Sequence, residues 1–185
     1  AYAAPNLSGE YKGMPYGLLD GDAFALKDQT SRPSDRVREA TAPHVVMDYA
    51  EVAFLTAEAY QRGFLGGDAA TAYADGVAAS MNYWGITDQA AIDAYVAANP
   101  YDANNWKQSL GIQKWLAFYM NGPQAWAEWR RLDYPQLEVP EAATNDVIPV
   151  RLPYPISEQT RNEASLQAVT SNPNDMNTKM WWDVN

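Results

Sequence analysis

VVMDYAEVAFLTAEAYQRGFLGGDAATAYADGVAASMNYWG, Val45–Gly85, decides the fold of this chain. The spacing predicts two amphipathic helices joined by a glycine turn, the first over about Val46–Gly63 and the second over about Asp68–Trp84. Val46, Ala50, Ala53, Ala57 and Tyr60 recur at helical intervals and share one stripe. Most of them are small, which lets a second helix approach closely. FLGGD supplies two glycines to stop the first helix and Asp68 to cap the next. Ala57, Tyr60, Ala69 and Tyr73 alternate small and aromatic at the spacing of a tetratricopeptide helix pair, and Gly76 takes the next small position. One such unit is visible, not an array.

Working outward, Thr87 or Asp88 caps a third helix over about Asp88–Ala98, with Ile92, Tyr95 and Val96 as its apolar side and Asn99-Pro100 as its end. A fourth, about Asn104–Met120, carries Leu110, Ile112, Trp115, Leu116 and Tyr119. Asn121-Gly122 stops it, and Pro123 opens a fifth over about Pro123–Arg131. Trp126 and Trp129 share a face of that helix, and Arg130 and Arg131 meet the negative end of its dipole. Beyond Tyr134-Pro135, four prolines make Leu137–Ile156 an extended strap. A helical turn at Ser157–Thr160, a short helix over about Glu163–Thr170 and the aromatic tail MWWDVN follow. Upstream, Gly9, Gly13, Gly17 and Gly21 break Ala1–Pro43 into a long loop or extended segment. A run of that length points to a functional loop, or to packing on chain outside this sequence. The expectation is a single all-α domain: a loop-rich lead-in (1–43), a helical core (44–134), then a proline-rich strap, short helix and tail (135–185).

The 185 residues suffice for one domain with a real core, and 47% hydrophobic against 19% charged residues describes a globular chain. A formal net charge of -10 leaves nothing to neutralise phosphates, so nucleic acid is excluded as a ligand, and so is electrostatic adhesion to an anionic membrane face. With no cysteine there is no disulfide framework, thiolate metal site or cysteine nucleophile. No apolar run approaches a membrane span, and AYAAPNLSGEYKG has neither the basic nor the apolar region of a signal peptide. The protein is read as cytosolic, or as having lost a leader.

Catalytic readings are weak. Glu51 and Glu58 share a helix face, but two turns separate their backbones by about 10.5 Å, too far for a retaining glycosidase pair. Helix carboxylates paired with backbone N–H groups or arginine explain them better. His44 is the only histidine, with no HExxH or GxSxG motif to serve, so no catalytic or metal residue and no cofactor is assigned. LGG and MPYGLLDGD lack the context of a phosphate-binding loop, and Asp20–Asp22 lacks the ligand spacing of a calcium loop. Aromatics are left, because sugar rings present apolar C–H faces that stack on tryptophan and tyrosine. Trp115, Trp126 and Trp129 lie on helical stripes and read as core. Tyr2, Tyr11 and Tyr16 on the glycine-rich loop, Tyr83 and Trp84 at a helix end, and Tyr101 and Trp106 beyond it are the candidate ligand contacts.

These segments, in this order, resemble a known family. VMDYAEVAFLTAEAYQRGF, the Ala-x-x-x-Tyr helix with NYWG, IQKWLAFYMNGPQAWAEWRRLDYPQL, IPVRLPYPISEQTRN and KMWWDVN are similar to the C-terminal part of SusD/RagB-like proteins, outer-membrane nutrient-binding lipoproteins of Bacteroidetes. The resemblance implies tetratricopeptide-like helix pairs and a non-catalytic role in capturing oligosaccharides or peptides at the cell surface. It implies delivery of that ligand to a SusC-like, TonB-dependent transporter. Members are longer and hold the membrane through a lipidated N-terminal cysteine, so the chain is expected to be a C-terminal portion. The resemblance transfers no ligand-contacting residue to a named position; Arg130, Arg131, the strap and the Trp-Trp tail are expected to be structural. Two other readings stay open, an intracellular tetratricopeptide-type scaffold and a glycoside hydrolase.

Overall fold

The computed structural model describes residues 3–143 and 146–184. The chain divides into two compact units, Ala1–Gln136 and Leu137–Asn185. The first holds the helix pair and its core.

Its lead-in is more ordered than the glycine pattern suggests. Strands β1 (Ala3–Ala4) and β2 (Arg32–Pro33) pair antiparallel, Ala3 opposite Pro33 and Ala4 opposite Arg32. Between them lies helix α1 (Asp20–Leu26), and α2 (Asp35–Arg38) follows. The expected structureless run is therefore corrected. Asp20 and Asp22 fall in the first turn of α1, where carboxylates suit the helix dipole, so the DGD segment starts a helix. Asn6 organises the loop: its side-chain oxygen accepts from the amides of Ser8 (3.0 Å) and Glu10 (2.9 Å), and its Nδ2 donates to the Gln29 carbonyl at 2.8 Å. Tyr2 lies outside the described residues.

Four longer helices follow: α3 (Tyr49–Gln61), α4 (Ala69–Tyr83), α5 (Gln89–Ala98) and α6 (Trp106–Ala117), the last preceded by a 3-10 turn at Ala103–Asn105. Helix α7 (Gly122–Leu132) completes the unit. Aspartates cap three of them. Asp48 accepts from the Glu51 amide (2.9 Å), Asp68 from Ala70 (3.0 Å) and Asp88 from Ala90 (3.1 Å). Each satisfies one of the amides that a helix start leaves without a partner. The Asp48 cap places Val46 before the helix, 81% exposed, so it leaves the predicted stripe. Ala50, Ala53 and Ala57 are buried as expected, together with Phe54.

The α3–α4 pair interlocks through missing side chains. A Cβ on Gly76 would fall 2.6 Å from the Phe54 ring, closer than packed atoms tolerate. Tyr73 packs its ring on Phe54 (centroids 6.2 Å) and on Tyr101 (5.5 Å), and donates its hydroxyl to the Asn99 carbonyl at 2.8 Å. Burial, then the Tyr95 hydroxyl nearby, pushes the Tyr73 phenol up to about 12, so it stays a donor. Phe54 and Leu110 are fully buried at the centre, each contributing about 1.5–3 kcal/mol of transfer free energy.

Helix α6 departs from the apolar periodicity. Its buried face is Leu110, Gly111, Gln113, Lys114 and Ala117, while Leu116 is exposed. Lys114 goes inside because a carboxylate from another helix meets it there.

In the second unit, α8 (Ile156–Arg161) and α9 (Glu163–Gln167) succeed each other closely. The extended segment before them is held by amides of Val150 to Met176 and of Tyr154 to Pro173, both 2.9 Å. Helix α9 stops short of the predicted Thr170, whose amide bonds back to Leu166. Trp181 in the tail is 87% exposed. Among the described residues, no helix is long and apolar enough to cross a membrane.

Candidate ligand-binding site

The two helix carboxylates dominate the interior of the first unit and do different things. Glu58 is met by Arg131 from α7, whose two terminal nitrogens approach its two oxygens at 2.5 Å each, and by Arg62 at 3.1 Å. Arg131 also bonds Glu128 at 3.1 and 2.6 Å, and Glu128 pairs with the buried Lys114. Burial alone pushes the Glu58 carboxyl up, but the guanidinium groups outweigh it and hold it below the usual carboxylate range. Glu128 behaves likewise, with Arg131 and Lys114 outweighing its burial. Burial drives Lys114 down despite Glu128. This seam of paired charges ties α3, α6 and α7 together.

Glu51 stands apart from it. It is 3% exposed, and its carboxylate accepts from the neutral Gln124 amide, 2.5 Å to Oε1. Burial raises its carboxyl above the ordinary value, and the Gln124 bond and the Lys114 charge do not restore it.

Glu51 lines a cavity of about 80 Å³ where four helix ends converge. The chain before α3 supplies His44, Met47 and Asp48; the end of α4 supplies Tyr83 and Trp84; the α6–α7 joint supplies Phe118, Tyr119 and Met120. Trp84 meets Tyr83 edge to face (5.0 Å, 84°) and Tyr119 likewise (5.5 Å, 71°). Arg36 of α2 donates to the Tyr83 carbonyl at 2.5 Å and lies over both the Tyr83 and Trp84 rings, at 5.2 and 5.7 Å. It thus fills a carbonyl at the end of α4 and packs the outer side of the aromatic wall. Among the described residues, no three His, Asp or Glu side chains stand close enough to hold a metal ion.

Six of the seven candidate aromatics lie among the described residues, in three places. Tyr11 (67% exposed) and Tyr16 (56%) sit on the loop between β1 and α1, open to solvent. Tyr83 is half-buried and Trp84 buried, side by side in the cavity wall. Tyr101 and Trp106 pack against the core, and the Tyr101 hydroxyl donates to Gln61 at 2.7 Å. The sequence reading passed over Arg36 and the α6–α7 joint. Only the Asn121-Gly122-Pro123 breaker hinted at the joint, and it says where a helix stops, not what its end touches.

A family model described as "Starch-binding associating with outer membrane", of the SusD-like type, matches residues 2–155. The chain belongs to the SusD-like family. Solved structures agree. A chitin-binding protein is 33% identical at a TM-score of 0.82, covering 96% of this SusD-like chain and 42% of its own. A chitin-binding SusD homolog from Flavobacterium johnsoniae is 27% identical at 0.79, covering 100% and 46%. A SusD-like protein of Bacteroidetes AC2a is 31% identical at 0.74, covering 84% and 33%. No curated protein matches. The SusD-like chain thus spans less than half the length of these solved relatives. The helical, tetratricopeptide-like architecture expected from the α3–α4 pair is the architecture of this family.

Proposed function

We propose that this chain is part of a cell-surface protein that captures carbohydrate and passes it to a SusC-like, TonB-dependent transporter in the outer membrane. The observation that carries the reading is the family match over residues 2–155, to a family described by starch binding and outer-membrane association. Two solved relatives described as chitin-binding favour a glycan over a peptide. The protein works by binding rather than catalysis, and a lipid anchor upstream of this chain holds it at the surface.

Tyr11 and Tyr16 are the platform for sugar faces, because they are the most exposed of the six candidate aromatics among the described residues. Tyr83, with Trp84 beside it, is a secondary contact, while Tyr101 and Trp106 pack against the core at another place on the unit and are the weakest of the candidate contacts. Retention on insoluble chitin and on starch gels tests the reading. The chain is expected to be retained on at least one of them without releasing reducing ends, and Tyr11→Ala/Tyr16→Ala is expected to weaken retention about tenfold. Passage through both matrices without retention defeats the carbohydrate reading. Retention unchanged in the double variant defeats the tyrosine platform. Delivery is tested on the full-length protein, which is expected to co-purify with a transporter from detergent-solubilised outer membrane.

A further inference from the structure

A second cleft in the first unit, of about 230 Å³, lies where α5 gives way to α6. Asn105, Gln108, Ser109, Ile112 and Gln113 line it, and their spacing of three, one, three and one makes them a single helical stripe. Asn99, Pro100 and Asp102 come from the connection after α5. The lining is polar and almost uncharged: it holds one carboxylate, Asp102, and no lysine or arginine. Helix α5 ends here and the 3-10 turn into α6 begins, so opposite poles of two helix dipoles meet and leave little net field. The one aromatic in the lining, Tyr73, is buried and donates its hydroxyl to the Asn99 carbonyl, so the cleft offers hydrogen bonds rather than an open ring face. That capacity is turned to solvent. Gln108 is exposed, and its side-chain amide makes no hydrogen bond among the described residues. Asn105 donates its Nδ2 to Asp102 at 2.7 Å, which fixes the amide and leaves its Oδ1 as an acceptor. The Ser109 Oγ accepts from the Asp102 amide at 3.1 Å and keeps its own proton to donate. The Asn105 bond, with that of the Asn104 amide at 2.8 Å, holds the Asp102 carboxyl below the usual range, so it stays an ionised acceptor.

We propose that this cleft binds one ring of a neutral oligosaccharide, with Asp102, Asn105 and Gln108 holding adjacent hydroxyls. The inference rests on the carbohydrate reading above and gives it a second contact, made by hydrogen bonds where Tyr11 and Tyr16 stack. A sugar hydroxyl donates and accepts at once, and neighbouring ring hydroxyls stand side by side. The Gln108 amide presents a donor and an acceptor side by side in the same way. The Asp102 oxygens take hydroxyl protons in charge-assisted bonds, and the same carboxylate repels an acidic sugar. Pro100 and Ile112 add apolar surface for ring C–H groups. Set against about 30 Å³ for a water in the liquid, the volume suits one sugar ring rather than two. Each of these groups also bonds water, so the net gain per bond is small and the affinity is about millimolar.

The test uses the 185-residue chain, labelled with ¹⁵N, and follows the Asn105 side-chain amide, assigned by its loss in Asn105→Asp. Maltotriose or N,N′-diacetylchitobiose is expected to shift that resonance saturably. Digalacturonate is expected to bind more weakly, and a fully O-methylated glucoside to leave the resonance in place. Gln108→Ala, an exposed substitution that α6 accommodates, is expected to weaken the response about fivefold. Silence from both neutral oligosaccharides, an equal shift from the methylated sugar, tighter binding of digalacturonate, or unchanged affinity in Gln108→Ala overturns the proposal. Should Gln108→Ala misfold, the comparison of free with methylated sugar in the unsubstituted chain decides alone. Retention on polysaccharide reads Tyr11 and Tyr16, and the Asn105 shift is expected to persist in Tyr11→Ala/Tyr16→Ala. Retention with a silent Asn105 amide defeats the cleft alone; a saturable shift without retention defeats the capture reading and leaves the cleft standing.

Discussion

Glu51 and Glu58 occupy one helix two turns apart and titrate in opposite directions. Glu58 and Glu128 have carboxyls held below their unfolded values. Their contribution to stability is therefore complete above the ordinary carboxylate range and is lost as pH falls through the lower folded values. Glu58→Gln is expected to cost about 1–3 kcal/mol near neutrality by removing one of the two carboxylates that Arg131 pairs with, the penalty shrinking in acid, as thermal melts at two pH values would show. Glu51 has the opposite sign. Its carboxyl is raised, so its stabilising contribution is present below the unfolded value and lost as pH rises through the folded one. Glu51→Gln is expected to leave the Tm near neutrality unchanged or higher, with any gain vanishing in acid. A clear drop in Tm at neutral pH would contradict the argument that this carboxylate is uncompensated.

At the scale of elements, the α3–α4 pair depends on the bare Cα of Gly76. Gly76→Ala is expected to destabilise the chain by about 1–3 kcal/mol through overpacking on Phe54, and Phe54→Leu in the same chain to recover part of it, read from urea midpoints. This pair and the helix ends that follow it were the most legible parts of the sequence, because Asp68, Asp88 and the Asn121-Gly122-Pro123 breaker act locally on α4, α5 and the α6–α7 joint. Helices α1 and α2 were not legible, since short helices among glycines leave too few turns for a period to emerge. Nor was the buried face of α6. Lys114 is tolerated inside only because Glu128 arrives from a later helix, and no local pattern encodes that meeting. Of the candidate site, Tyr83 and Trp84 are legible as aromatics at a helix end, whereas their meeting with Glu51 at one cavity depends on several helices at once and no local pattern encodes it.

At the scale of the whole molecule, a net charge of -10 bears little on the capture of a neutral ligand. Retention on an uncharged polysaccharide through tyrosine stacking is expected to change little with added salt between about 0.01 and 1 M. Retention measured at three ionic strengths checks this. The cavity that Glu51 lines also makes the molecule chemically uneven. Of its six methionines, the two most exposed are Met47 and Met120, both at 58%, and both line that one mouth. Met120 is held there in a left-handed backbone conformation with φ 69°, so its thioether does not fold away into the helix before it. A mild peroxide would reach these two sulfurs first and convert a greasy rim into a pair of polar sulfoxides. Stored or stressed protein would thus lose the apolar character of that cavity mouth while its helices stay intact, a defect that peptide mass spectrometry would see and circular dichroism would miss.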